Sequence, residues 1–313
     1  MSDFESLLAA IPDNPDVAFL LADYLEDRDD PRCELLRLLY TLRTMKEVTT
    51  LRQQMEGRLR KLLRRGVAPV GHTLRNSINM TFVWIPPGTF LTGDQRANGS
   101  FVSGSLQCIT LTKGFYLGRT PVTQGQWNAV MDGNPSRFRG DPGLPVESVS
   151  WYDCERFLNK LCRKENTQGY RLPTEAEWEH ACRAGTTTNY YCGNSEREMA
   201  TVAWCQDNSE GITQPVGQLR ANPWGLYDMH GNVDEWCQDL ATAGTYGLFD
   251  WQGRPSRSSD LIDPVGAIQG LDRGTRGGSW QDQAYKCRSA SWWLHPKHTR
   301  MASLGFRVCL DVK

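Results

Sequence analysis

Up to about Gly66 the apolar positions recur at helical spacing. Leu7, Leu8 and Ile11 open a short helix, and Asn14-Pro15 supplies a stop followed by an N-cap and first-turn proline for the next. Phe19, Leu20, Ala22, Tyr24 and Leu25 continue that helix until the acidic run ending at Pro31 breaks it. Leu35, Leu36, Leu38, Leu39 and Leu42 mark a third helix. Leu51, Met55, Leu59, Leu62 and Leu63 mark a fourth, whose Arg58, Arg60, Lys61, Arg64 and Arg65 read as a solvated face near its C-terminal end. Periodicity is lost from Gly66 to Asn79, and beyond it strands and turns take over. Residues 80–93 read as strand, proline-glycine turn and strand, 107–112 and 114–118 as two more strands, and 304–310 as a last one. Ser150 with Asp153, and Thr174 with Glu177, are capping signatures that start two helices, the second stopped by Gly185. The pattern predicts an α+β chain in three parts: an all-α module over 1–66, a linker over 67–79 and an irregular α+β domain over 80–313.

Eleven Trp, ten Tyr, ten Phe and 29 Gly point to a loop-rich body held by aromatic plugs. Trp127, Trp151, Trp178, Trp204 and Trp236 read as packing posts. A formal net charge of -1 provides no field to gather nucleic acid or an anionic membrane, so no nucleic-acid or membrane partner is expected. The ten cysteines contain no C-x-x-C pair and read as buried free thiols. The N-terminus lacks a basic segment followed by a long apolar run, and no later stretch has the apolar length of a membrane span, so a cytoplasmic location with reduced thiols is expected.

The order and wording of several segments carry a resemblance. They are Phe82-Val-Trp-Ile-Pro-Pro-Gly-Thr-Phe90, Gly118-Arg-Thr-Pro-Val-Thr-Gln124, Leu144-Pro-Val-Glu-Ser-Val-Ser-Trp151 and Tyr170-Arg-Leu-Pro-Thr-Glu-Ala-Glu-Trp178. They continue with Gly225-Leu-Tyr-Asp-Met-His-Gly-Asn-Val-Asp-Glu-Trp236, Arg276-Gly-Gly-Ser-Trp280, Cys287-Arg-Ser-Ala290 and Gly305-Phe-Arg307. Together they resemble the formylglycine-generating-enzyme, or sulfatase-modifying-factor, family over about three quarters of the chain. The resemblance implies an irregular α+β fold related to C-type lectins, with a ligand cleft near Gly277-Gly-Ser-Trp280. Residues 16–42 separately resemble the repeat-companion helical module at the N-termini of some bacterial proteins, which implies a docking or capping role.

Catalytic members of the family oxidise a substrate cysteine with copper held by two thiolates, a soft linear site. The matching positions here are Asp282 and Cys287, so one thiolate is missing and copper is not expected; Cys287 and Ser279 would be the catalytic residues if any activity remained. Where relatives carry a tryptophan in Gly-Asn-Val-Trp-Glu-Trp, this chain has Asp234, either a new polar specificity or an exposed acid. The resemblance implies a cleft of Asp234, Ser279, Trp280, Asp282, Trp292 and Trp293 for a protein or peptide ligand. It also implies a calcium site at Asp228, Gly231, Val233 and Glu235, where the alternative is that the two carboxylates pair with backbone amides or arginines. Iron-dependent relatives draw histidines from an added helical domain, but the histidines here are 72, 180, 230, 295 and 298, none in the first 71 residues. His295 and His298 are separated by Pro296 and read as an exposed loop. The chain therefore reads first as a non-catalytic binding module. A divergent oxidase making formylglycine is the first alternative. A binding protein diversified by a retroelement is the second, although asparagine-type codons mutated only at adenines cannot yield Trp292, Trp293 or Lys286.

Overall fold

The structure, a computed structural model, describes residues 2–93, 107–241, 260–266 and 270–312. Four helices open it: α1 (Asp3–Ala10), α2 (Val17–Glu26), α3 (Arg32–Leu42) and α4 (Thr50–Arg64). Ser2 and Glu5 form a capping box on α1, and Thr49 caps α4. The leucines of α2 and α3 bury against each other, and Leu59 and Leu62 bring one face of α4 onto the same core.

These helices lie against the rest of the chain. Arg52, on the buried side of α4, donates to Glu56 at 3.0 Å, to the Met45 carbonyl at 2.6 Å and to the Gly185 carbonyl at 2.8 Å. Glu56 in turn accepts the Thr187 amide at 3.1 Å. The Tyr40 ring meets Trp224 edge-on at 5.7 Å, and the Thr89 amide donates to the Arg43 carbonyl at 2.6 Å.

The largest sheet is antiparallel and runs β1 (Thr73–Arg75), β2 (Thr81–Ile85), β5 (Phe115–Gly118), β12 (Cys309–Asp311), β6 (Tyr170–Arg171). A second sheet runs β10 (Trp292–Pro296), β9 (Asp272–Arg276), β7 (Asp234–Ala241), β11 (Leu304–Phe306), with only β7 and β11 parallel. A third is β3 (Gly88–Thr92), β4 (Gln107–Leu111), β8 (Asp260–Ile262). The strands on either side of Pro86-Pro87 lie in different sheets, β2 in the first and β3 in the third. The stretch 304–310 is likewise two strands in two sheets. The segment read as linker contains β1, paired with β2.

The helices α5 (Trp151–Lys164) and α6 (Glu175–Arg183) start at the two predicted capping boxes. Cys154, Phe157, Leu158 and Leu161 form the buried stripe of α5, with Phe157 stacked on Trp127 at 5.5 Å and edge-on to Phe306. Trp178 and Trp236 are fully buried posts, while Trp151 and Trp204 are half-buried. All ten cysteines are free thiols, with Cys33 and Cys108 half-buried and the rest buried. Among the described residues no helix is long and apolar enough to cross a membrane.

Candidate functional site

Two loops at the end of the second sheet build the site. After β9 the chain turns through Gly277 (φ +103°) and Gly278 (φ +67°). A Cβ on Gly278 would stand 2.7 Å from the Cys287 Sγ in a left-handed backbone, so glycine is required there. The loop before β7 meets this turn: the Gly231 amide donates to the Gly277 carbonyl at 2.8 Å and the Trp280 amide to the Asn232 carbonyl at 2.9 Å. Asn232, itself left-handed, fixes its own loop by exchanging side-chain hydrogen bonds with the Gln214 backbone at 3.1 and 2.9 Å. The Gly278 amide donates to Asp234 Oδ1 at 2.9 Å.

The turn delivers a compact polar and aromatic cluster. Ser279 donates to Asp282 Oδ2, and Lys286 Nζ lies 3.2 Å from Asp282 Oδ1 and 5.2 Å over the Trp293 ring. Trp280 is pinned by its Nε1 donating to the Ala302 carbonyl at 2.9 Å, and its ring meets Phe138 edge-on at 5.3 Å. Burial opposes charge on Lys286 most strongly, but the hydrogen bond to Asp282 and the negative charges around it together outweigh it and hold the ammonium pKa above its ordinary value. Burial, and then Asp282, pushes the Asp234 carboxyl well above the usual range.

Of the expected cleft residues, Ser279, Trp280, Asp282 and Trp293 come together. Asp234 lies beneath them, buried rather than exposed, and Ser279 is also fully buried. Alternation along β10 turns Trp292 to the opposite face from Trp293. Phe138 and Lys286 were not anticipated; nothing in the sequence pattern joins Phe138 to Trp280.

Residues 70–312 match the family described as Sulfatase-modifying factor enzyme 1-like domain. The chain belongs to this family. It is similar to the chaperone protein LppX of Paenibacillus barcinonensis, at 34% identity covering 41% of this chain and 63% of that one. It is similar to the formylglycine-generating enzyme of Thermomonospora curvata at 32% identity, covering 61% of this chain and 63% of that one. The chain thus spans less than two thirds of the length of both curated relatives. Among solved structures, Treponema denticola variable protein 1 superimposes with a TM-score of 0.67 at 29% identity, covering 78% of this chain and 99% of that one.

The family's copper pair does not fit the residues present. Asp282, a hard carboxylate, stands at the first thiolate position and is engaged by Ser279 and Lys286. Cys287 lies under Gly278 with its Sγ 4.0 Å from the Gln283 carbonyl, and burial, then Asp282, pushes its thiol well above the ordinary range. Cys205 is likewise buried, and burial pushes its thiol up.

At the four calcium positions the two carboxylates are already engaged by the protein. Glu235 is fully buried with its two oxygens taken by Arg307 (2.7 Å) and by the Trp178 Nε1 (2.7 Å). Asp228 Oδ2 accepts the Gly217 amide at 2.7 Å. The two carboxylates thus pair with an arginine, an indole N–H and a backbone amide, the alternative that the sequence left open. Among the described residues, no three His, Cys, Asp or Glu side chains converge as metal ligands. His230 is buried, stacks on Tyr191, and shares its Nδ1 proton with the Cys287 carbonyl at 2.7 Å, and burial lowers its pKa to about 3. His295, expected in an exposed loop, sits on β10 with its ring edge-on to Trp236 at 6.0 Å, whereas His298 is exposed.

A cavity of about 740 Å³ lies elsewhere, between the loop of Pro12, Asp13 and Pro15 and the ends of β5 and β12. Its Arg171 is already paired with Glu177 at 2.6 Å and Asp311 at 2.8 Å, and its Asp263 with the Thr112 amide at 2.8 Å. The cluster around Asp282 sets its charges beside half-buried aromatic rings and is the better candidate.

Proposed function

We propose that this chain is a non-catalytic member of the family, which binds a protein or peptide ligand at the cleft of Trp280, Asp282 and Trp293. The observation that carries the reading is Asp282, hydrogen-bonded to Ser279 and Lys286 at the position where the copper chemistry needs a thiolate. The half-buried aromatic rings beside it supply the contact area typical of binding surfaces. The likeness to a solved variable protein supports the same reading. The helices over 1–66 would form a module docked on the domain over 80–313, free to present their outer faces to a second partner.

Copper affinity tests the proposal. In competition with a chromophoric Cu(I) chelator the protein is expected to retain no stoichiometric copper. Retention, with X-ray absorption reporting two sulfur ligands, would overturn it. The similarity to a formylglycine-generating enzyme is the observation that favours a divergent oxidase as the second reading.

A further inference from the structure

We propose that the cleft takes the ammonium group of a lysyl side chain from a peptide ligand, seated between Asp234 and Asp282 against the Trp293 ring in the place Lys286 now fills. This inference rests on the binding reading and adds the chemical class of the ligand.

Lys286 displays the chemistry. Its Nζ lies 3.2 Å from a carboxylate oxygen of Asp282 and 5.2 Å over an indole face, two features that each attract an ammonium ion. It is weakly held: the side chain is 33% exposed, projects from a single 3-10 turn (Ala284–Cys287), and makes one ion pair. A partly exposed pair of this kind shifts an equilibrium by about fivefold at most, so an incoming cation can displace it.

Asp234 is the second, independent observation. Its side chain is only 5% exposed, and Oδ1 accepts the Gly278 amide. Its other oxygen receives no hydrogen bond from the described residues, although the charges of Asp282 and Lys286 both reach the carboxyl. That oxygen is left open to a further donor. Lys286 makes no ion pair with it, whereas a ligand ammonium has three N–H donors and can serve Asp234 and Asp282 together.

Panning a random peptide-display library against the full chain and against Lys286→Ala, then measuring hits and their Lys→Gln copies by fluorescence anisotropy, tests the proposal. Hits should carry lysine, lose at least tenfold in affinity on Lys→Gln or on Asp282→Asn, and bind Lys286→Ala about three- to fivefold more tightly. Melting curves confirm that the variants are folded. Hits that compete with one another, weaken on Trp293→Ala and show no preference for lysine would overturn the proposal while leaving the binding reading standing. A preference for arginine over lysine overturns the ammonium assignment, and butylamine binding as tightly as the peptides overturns the peptide source. Absence of hits from both proteins overturns the proposal and the binding reading together.

Discussion

Replacing Arg52 with Met removes the charged pin between α4 and the domain it packs on. Arg52 and Glu56 are 1% and 2% exposed, so neither group can recover its lost partner from water. The substitution leaves Glu56 facing only Thr187 and the more exposed Arg60, 3.5 Å away, and strips a donor from the Met45 and Gly185 carbonyls. Breaking a buried ion pair from one side costs about 3–5 kcal/mol, most of it the stranded charge. At about 2 °C per kcal/mol for a chain of this length, the melting temperature should fall by about 6–10 °C. Arg52→Met with Glu56→Gln should recover a large part of that, because the amide oxygen still accepts the Thr187 N–H and no charge is stranded. Calorimetry gives the melting temperature, and hydrogen exchange at the Thr187 amide reports whether the junction opens. A loss under about 1 kcal/mol, the size of a surface pair, would refute the view that the helices are locked onto the domain.

Three further outcomes follow from particular groups. Burial raises the Asp239 pKa to about 6, so the folded chain binds this proton more tightly than the unfolded one. Its contribution is full below the unfolded value and is lost as pH rises from about 4 to about 6, by about 2–3 kcal/mol. Asp239→Asn should therefore gain stability relative to the parent over that window in urea titrations, and a constant difference would contradict the shift. Gly278→Ala should cost about 1–2 kcal/mol for its left-handed backbone and about 1–3 kcal/mol for the contact with Cys287. Adding Cys287→Ala should return only the second part, and full recovery would show that the backbone is not constrained. Because Arg307 and Trp178 occupy Glu235, a calcium chelator should leave the melting temperature unchanged, and a clear drop would restore the calcium site at Asp228, Gly231, Val233 and Glu235.

The helices and their caps were legible because the signals are local: the boxes at Ser150 and Thr174 require only residues three apart. Strand partnership was not. Pro86 and Pro87 sit between two strand-like runs, and the sequence does not say whether they turn the chain back or send it to another sheet; the close approach of Gly88 to the Arg43 carbonyl belongs to the second outcome. Arg52 and Glu56 look in sequence like any helical i,i+4 surface pair, yet they are buried because Gly185, 133 residues from Arg52, closes over them. At the site, the resemblance located Ser279, Trp280 and Asp282. It could not show that Asp234 is buried or that Lys286 spans from Asp282 to Trp293, because both depend on how two distant loops meet.

The central claim, that the cleft binds but does not oxidise, is tested most directly by turnover. The protein loaded with copper in the presence of oxygen is incubated with a Cys-x-Pro-x-Arg peptide, and the peptide mass is followed. With Asp282 at the first ligand position and the Cys287 thiol buried under Gly278, the account predicts unchanged peptide mass. Conversion of the cysteine to the aldehyde, abolished by Cys287→Ser, would contradict it.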